Sequence, residues 1–397
     1  MGKAKKIFLA TGIVILLALI AVFVYIKFFA KSFLKPDGPF SAEVIENTTY
    51  SEIEQLKVVT DDNGNKFYLS TNSEYSSLCD NLYEIISDCS YKGIIILADD
   101  DEIIFCSGVN ANDTDGNIVG PYTTFEIGSV TKSFTAVAIM RLVDEGKISL
   151  DDTLSKYYDN FPNGDNITLR NLLNMQSGLV DSIPLFEDAS DEEIFDALYK
   201  SEQSFAPGTD MAYTNLNYVL LANIIEKTTG KAYGEYIKEI IFDKLSMNYS
   251  SSQVLGDVTS ECQDGYFVCT NLARGAGDIH SNALDMIAFD RAVFNQKIIT
   301  SDSFNFVTTP ADNNGYGAGW IKEGSMLTSW MIKNAKPTDI LFHTGGTQSY
   351  HTYNMVFKPY DSEKRIYLFS SSGYLSSLPL KVINEVKDFE GYFDANE

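Results

Sequence analysis

Ser129 and Lys132 stand three residues apart in "FEIGSVTKSF", where an extended segment gives way to a helix. On a helix, residues i and i+3 share a face, so the amine can reach back to the hydroxyl. A serine hydroxyl is a weak nucleophile and needs a base within hydrogen-bond reach. Lysine serves as that base once burial or a neighbouring cation lowers its pKa. The helix N-terminus adds free N–H groups and positive potential, which suit a developing oxyanion. A plain reading competes, with serine as an N-cap and lysine as an ordinary surface residue. The same spacing recurs at Ser32 and Lys35, beside the hydrophobic N-terminus, where nothing else suggests chemistry. The rest of the chain has to separate the two copies.

The elements that must position the pair follow from hydrophobic periodicity. Leu78, Leu82, Ile85 and Ile86 recur at helical spacing between Glu74 and Ser87. "KGIIILADDDEIIFCSGV" reads as a hairpin around an acidic turn, Asp99 to Asp101. The helix carrying the pair runs from Ser129 to Glu145, with Phe134, Val137, Ala138 and Leu142 inward and Gly146 after its end. Helical stripes mark "TLRNLLNMQSGL", "SDEEIFDALYKS" and "NLNYVLLANIIEKTTG". Strand character returns in "YGAGWI", "SMLTSWMI", "DILFHTGG", "HTYNMVF" and "KRIYLFSSS". A last helix carries Leu380, Ile383 and Val386 on one side. Strands at both ends with helices between them predict an α+β fold. Its antiparallel sheet is flanked by terminal helices, and a helical insertion spans about residues 150–305.

The 397 residues carry a formal charge of −24, unevenly placed. Residues 1–35 hold six lysines and no acid, leaving 24 basic against 54 acidic residues, or −30, in the remainder. So acidic a body repels phosphate backbones, which excludes nucleic acid as a partner. Ile7 to Ile26 run twenty positions without a charge, about 30 Å as a helix, the thickness of a hydrocarbon core. The stretch exceeds the usual apolar length of a cleaved leader. The expected domains are therefore a cytoplasmic tip and transmembrane anchor at 1–29, a polar tether at 30–65 and a folded domain at 66–397. The lysine balance around the span tips the N-terminus toward the cytoplasm, placing residues beyond about 30 outside the cell. Three histidines without His-x-x-x-His spacing make a metal site improbable. Five cysteines cannot all pair internally; Cys79 with Cys89, and Cys262 with Cys269, are close enough in sequence to bridge.

Two further clusters single out Ser129. "PGTDMAYTNLNYVLLANIIEKTTG" places Tyr213 and Asn215 just before a helix, and "FHTGGTQSY" ends a predicted strand with His343, Thr344, Gly345 and Gly346. With Ser129-Val130-Thr131-Lys132, Tyr213-Thr214-Asn215 and His343-Thr344-Gly345 in that order, the chain resembles serine hydrolases related to class C β-lactamases and low-molecular-weight penicillin-binding proteins. "LLNMQSGL", "LSMNYSS", "GAGDIHSNALDMIAF" and "YGAGW" extend the likeness over about residues 75–390. Single triplets are weak signals, since Tyr158-Asp159-Asn160 is another Tyr-x-Asn; their order and flanks carry the resemblance.

The resemblance implies a β-lactamase/transpeptidase-like fold and acyl transfer without a cofactor. Ser129 attacks an acyl carbon, Lys132 helps to remove its proton, and Tyr213 shares the proton traffic. Asn215 holds Lys132 and the substrate amide. The N–H groups of Ser129 and Gly346 form the oxyanion hole on the strand that also carries His343, Thr344 and Gly345. Asn215 is also a candidate helix N-cap. With the anchor, the resemblance points to D-alanyl esters or amides of the cell envelope; a β-lactamase, a general esterase or a non-catalytic penicillin-binding sensor are the alternatives. Two positions depart from the family pattern. His343 stands where classical members carry Lys, and a histidine near pKa 6.5 greets a substrate carboxylate less firmly. Gln176 occupies a cleft-side position where relatives have Thr or His, and it carries no inference.

Overall fold

The computed structural model describes residues 40, 43–88, 90–180, 189–252, 270–322, 340–347, 351–361, 365–372 and 378–389. The Ile7–Ile26 stretch, the Ser32/Lys35 copy, the predicted strand at 325–332 and Cys89, Cys262 and Cys269 lie outside the described residues. Among the described residues no helix is long and apolar enough to cross a membrane.

Among the described residues, eight antiparallel strands build the central sheet. They are β1 (Lys57–Thr60), β2 (Lys66–Leu69), β3 (Gly93–Ala98), β4 (Ile103–Val109), β8 (Ile321–Lys322), β9 (Ile340–Gly346), β10 (His351–Phe357) and β11 (Ile366–Ser372). Their order is β1-β2-β4-β3-β11-β10-β9-β8. Three short strands, β5 (Thr124–Glu126), β6 (Ser251–Ser252) and β7 (Ile279–Asn282), form a second sheet in the order β5-β7-β6. β3 and β4 are near-continuous apolar runs and every residue in them is buried, as befits strands covered on both faces.

Alternation along the strands divides the core in two. Ile95 and Leu97, Leu368, Met355 and Phe342 face the terminal helices, packing with Leu78, Leu82 and Ile86 of Ser76–Ser87 and Val382, Ile383 and Val386 of Leu378–Phe389. Ile94 and Ile96, Phe369, Val356 and Leu341 face the other side, with Phe134 and Val137 of Thr131–Asp144, Leu220 of Asn215–Thr229 and Ile287 of Ala283–Phe294. This period of two puts His343, two residues from Leu341, on the face that receives the Thr131–Asp144 helix.

Two predicted boundaries move. The folded domain begins at Glu43 rather than 66. A helix at Thr49–Gln55 buries Ile53, and Glu52 takes the Arg291 guanidinium through both carboxylate oxygens at 2.8 and 3.0 Å. This segment reads as tether because it contributes few apolar residues and is held chiefly by polar partners far along the chain. The insertion also closes before 305, because Ala283–Phe294 lies against the central sheet, where Asn354 Nδ2 donates to Asp290 Oδ1 at 3.0 Å. The predicted strand "YGAGWI" shrinks to Ile321–Lys322; Gly317 N–H donates to the Trp320 carbonyl at 2.7 Å and turns the rest back on itself. Cys79 is a buried free thiol that donates to the Ile104 carbonyl at 3.3 Å, while its suggested partner Cys89 lies outside the described residues.

Candidate active site

Ser129 lies in a single 3-10 turn, Gly128–Val130, that links β5 to the Thr131–Asp144 helix. The turn abuts the end of β9. A Cβ on Gly128 would stand 3.1 Å from Gly346 N, and one on Gly345 would stand 1.9 Å from the Ile127 carbonyl oxygen. Only a glycine at 345 lets the nucleophile turn and β9 approach so closely. Ser129 and the Gly346 amide therefore converge from segments far apart in the chain.

Lys132 is fully buried beneath the half-buried Ser129. Its Nζ donates to Asn215 Oδ1 at 2.8 Å and to the Ala276 carbonyl at 2.8 Å, and lies 2.9 Å from Ser129 Oγ. All three of these partners are neutral. The Tyr213 ring stands over the amine, 4.9 Å from Nζ to the ring centroid. Tyr213 and Asn215 are exposed, so the amine forms the floor of a cleft open to solvent.

Asn215 opens the Asn215–Thr229 helix, but Thr214 is its N-cap, accepting from Leu216 N–H at 3.2 Å. The cap being met by Thr214, the Asn215 side chain is left for Lys132. The other Tyr-x-Asn triplet does not share this setting, since the Tyr158 hydroxyl donates to Asn223 Oδ1 at 2.8 Å. Ala212 N–H donates to the Met175 carbonyl at 3.0 Å, tying the Tyr213 segment to the neighbouring loop, whose Gln176 Nε2 donates to Asp312 at 3.0 Å.

His343 departs from expectation. It is only 1% exposed, too deep to greet a substrate carboxylate. Nδ1 lies 2.8 Å from the Thr344 carbonyl, which can only accept, so Nδ1 carries the hydrogen. Nε2 is then the acceptor facing the Tyr316 hydroxyl at 3.4 Å. Burial above all, and then the Lys132 charge, push the imidazole pKa down to about 3. The strand thus places a neutral ring where an ammonium was the family pattern. Thr344 and Gly346 remain at the surface of the cleft. Of the other histidines, His280 pairs with Glu126 at 3.7 Å across β5 and β7.

Sequence reasoning missed the Ala276 carbonyl and Tyr316. Both lie in stretches that stood out as landmarks, "GAGDIHSN" and "YGAGW", but a backbone oxygen leaves no mark in residue type. Among the described residues no cluster of metal-ligating side chains occurs.

A serine whose oxygen touches a buried lysine, beneath a tyrosine and beside a glycine-rich strand end, defines a serine acyl hydrolase. The Beta-lactamase family model matches residues 90–361, and the chain belongs to that family. It is 29% identical to PbpX of Bacillus subtilis (strain 168) over 247 residues, 59% of this chain and 63% of that protein. It is 28% identical to penicillin-binding protein 4* of the same organism over 321 residues, covering 71% and 68%. The chain thus spans less than two thirds of PbpX. The octameric penicillin-binding protein homologue from Pyrococcus abyssi superposes with a TM-score of 0.63 at 26% identity, covering 79% of this chain and 77% of that one.

Proposed function

We propose that this serine hydrolase is membrane-anchored and extracytoplasmic, and that it cleaves D-alanyl esters or amides of the cell envelope through an acyl-enzyme on Ser129. The observation that carries the acyl-enzyme is the three-way grip on Lys132 Nζ by Ser129, Asn215 and Ala276. Desolvation disfavours a charged amine; the neutral form gives its two hydrogens to Asn215 Oδ1 and the Ala276 carbonyl and turns its lone pair to the Ser129 hydroxyl, whose proton it takes as Oγ bonds to the acyl carbon. The amide N–H groups of Ser129 and Gly346 receive the oxyanion. The proton passes to the leaving oxygen or nitrogen through Lys132 and Tyr213, which act as a coupled pair. A water molecule, deprotonated by the same pair, then releases the acid and restores Ser129.

The neutral His343 favours a scissile ester or amide over one flanked by a free carboxylate, which supports teichoic-acid-type esters above carboxypeptidase substrates. The uncharged Ile7–Ile26 stretch supports the anchor. The test is release of D-alanine by detergent-solubilised full-length protein from three substrates: a D-Ala-D-Ala peptide, a D-alanylated teichoic acid and, for β-lactam opening, nitrocefin. Consumption of the D-alanylated ester by wild type but not by Ser129→Ala is the expected result. Turnover of nitrocefin alone would replace this reading with a β-lactamase.

A further inference from the structure

The amine of Lys132 is held by a turn with a fastening of its own. Residues 275–279 lie across the start of the Thr131–Asp144 helix and are bound there by three successive contacts. Ile279 N–H donates to Thr131 Oγ1 at 3.1 Å, Lys132 Nζ donates to the Ala276 carbonyl at 2.8 Å, and Thr135 Oγ1 donates to the Gly275 carbonyl at 2.6 Å. Gly275 adopts φ +72°, and a Cβ there would stand 2.7 Å from Ala222 Cβ and 2.9 Å from the Tyr218 carbonyl oxygen. The turn is therefore pressed against the Asn215–Thr229 helix as well. Within the turn, Ala276 and Gly277 N–H both donate to the Ala273 carbonyl at 2.7 Å, and a side-chain tie is added by Asp278, a buried carboxylate to which the acyl-transfer steps assign no part. Oδ1 accepts from Gly275 N–H at 2.9 Å, and Oδ2 accepts from Ser252 Oγ on β6 at 2.5 Å.

We propose that Asp278 is a positioning residue for Lys132: by clamping Gly275 N–H to β6, it fixes the Ala276 carbonyl that orients the amine toward Ser129. Asp278 is outside the set of reacting groups; it acts through the Gly275–Ala276 backbone. Burial pushes its carboxyl up to about 6, while the Ser252 and Gly275 hydrogen bonds and neighbouring His280 pull the other way. The groups facing it are His280 on β7, itself paired with Glu126 on β5, and Tyr233, whose phenol meets Thr135 at 2.7 Å. Protonation weakens both acceptor bonds, so the turn loosens and the amine loses its aim as pH falls through about 6. The inference rests on the acyl-enzyme reading of Ser129 and Lys132, and its test separates the two.

Full-length wild type, Asp278→Asn and Asp278→Ala are compared for kcat and KM on a p-nitrophenyl ester from pH 5 to 8, with Ser129→Ala as control. Asparagine makes the same two contacts as the protonated carboxyl, accepting from Gly275 N–H and donating to Ser252, and it does not titrate, so it stands in for the low-pH form at every pH. Asp278→Ala is expected to lower kcat roughly 10–100-fold, the scale of a small misplacement at a reacting centre, with KM within about twofold of wild type. Asp278→Asn is expected to run from pH 5 to 8 at the kcat that wild type shows only at its acidic plateau, with no limb near pH 6. In parallel, NMR follows the Lys132 13Cε shift, assigned with Lys132→Arg, which reports the amine without turnover. An inflection near pH 6 in wild type, absent in Asp278→Asn, supports the proposal even if the ester is not turned over. Superimposable limbs and inflections in wild type and Asp278→Asn overturn it, as does a folded Asp278→Asn with wild-type kcat at pH 7.5. Should Asp278→Ala fail to fold, Asp278→Asn alone decides. Loss of Ser129-dependent turnover in wild type, with the inflection intact, overturns the acyl-enzyme reading and spares this one.

Discussion

The Tyr316 hydroxyl sits 3.4 Å from Nε2 of His343, and both side chains are buried behind the strand that borders the cleft. With Nδ1–H committed to the Thr344 carbonyl and the pKa pushed down to about 3, the ring stays neutral across the physiological range. KM for a carboxylate-bearing substrate should therefore be flat between pH 6 and 8. Steady-state kinetics across that interval are the check. A KM that climbs as the pH passes 6.5 would mean an exposed imidazolium and a different arrangement of β9.

Ser129 and Lys132 should be individually indispensable. Removing one oxyanion donor from such a site slows it roughly 10²–10³-fold, and losing the nucleophile or its base should be at least as severe. Ser129→Ala and Lys132→Ala are measured on a p-nitrophenyl ester, with circular dichroism to confirm folding. Ser32→Ala, which alters the other copy of the spacing, should match wild type. Residual activity within tenfold in Ser129→Ala would move the nucleophile elsewhere.

The two glycines of the strand end should respond differently. A Cβ on Gly345 meets the Ile127 carbonyl oxygen at 1.9 Å, whereas one on Gly346 meets nothing within 4 Å. Gly345→Ala must push β9 away from the Ser129 turn; overpacking of this kind destabilises by about 1–3 kcal/mol, and the oxyanion donors separate with it. Gly346→Ala keeps its N–H and should fold and turn over as wild type. Thermal melts together with acylation rates test the contrast, and equal behaviour of the two variants would count against the close approach.

Most of the framework was legible before any coordinates. Continuous apolar runs mark β3 and β4 and open β9 and β11, and a 3.6-residue stripe marks the helix behind Ser129. The ordered triplets brought Ser129, Lys132 and Asn215 into hydrogen-bond contact, with the Tyr213 ring close over the amine. What escaped was held by polar or backbone contacts. The Thr49–Gln55 helix depends on Glu52 with Arg291 and on Tyr50 and Asn47 with Asp285, pairs separated by most of the chain. The burial of His343 depends on Tyr316 and on the parity of β9, and residue type alone speaks for neither.

Asp290 offers the last prediction. Its Oδ1 accepts from Asn354 Nδ2 at 3.0 Å, while Asp290 Oδ2 and Asn354 Oδ1 are both buried and find no hydrogen-bond partner among the described residues. A proton on Oδ2 supplies the donor that Asn354 Oδ1 lacks, and burial pushes the Asp290 carboxyl well above the ordinary carboxylate range. The folded state therefore binds this proton more tightly than the unfolded chain, whose aspartates titrate near 3.9. Stability from this group is complete below that value and declines as pH rises toward the folded pKa, by up to about 1.4 kcal/mol per pH unit. Asp290→Asn can make the same two hydrogen bonds at every pH. It should match wild type near pH 4 and become the more stable of the two by pH 7, read from urea midpoints at pH 4, 5.5 and 7. Parallel pH dependence in the two proteins would show that Asp290 is ionised in the fold and that its second oxygen finds a donor elsewhere.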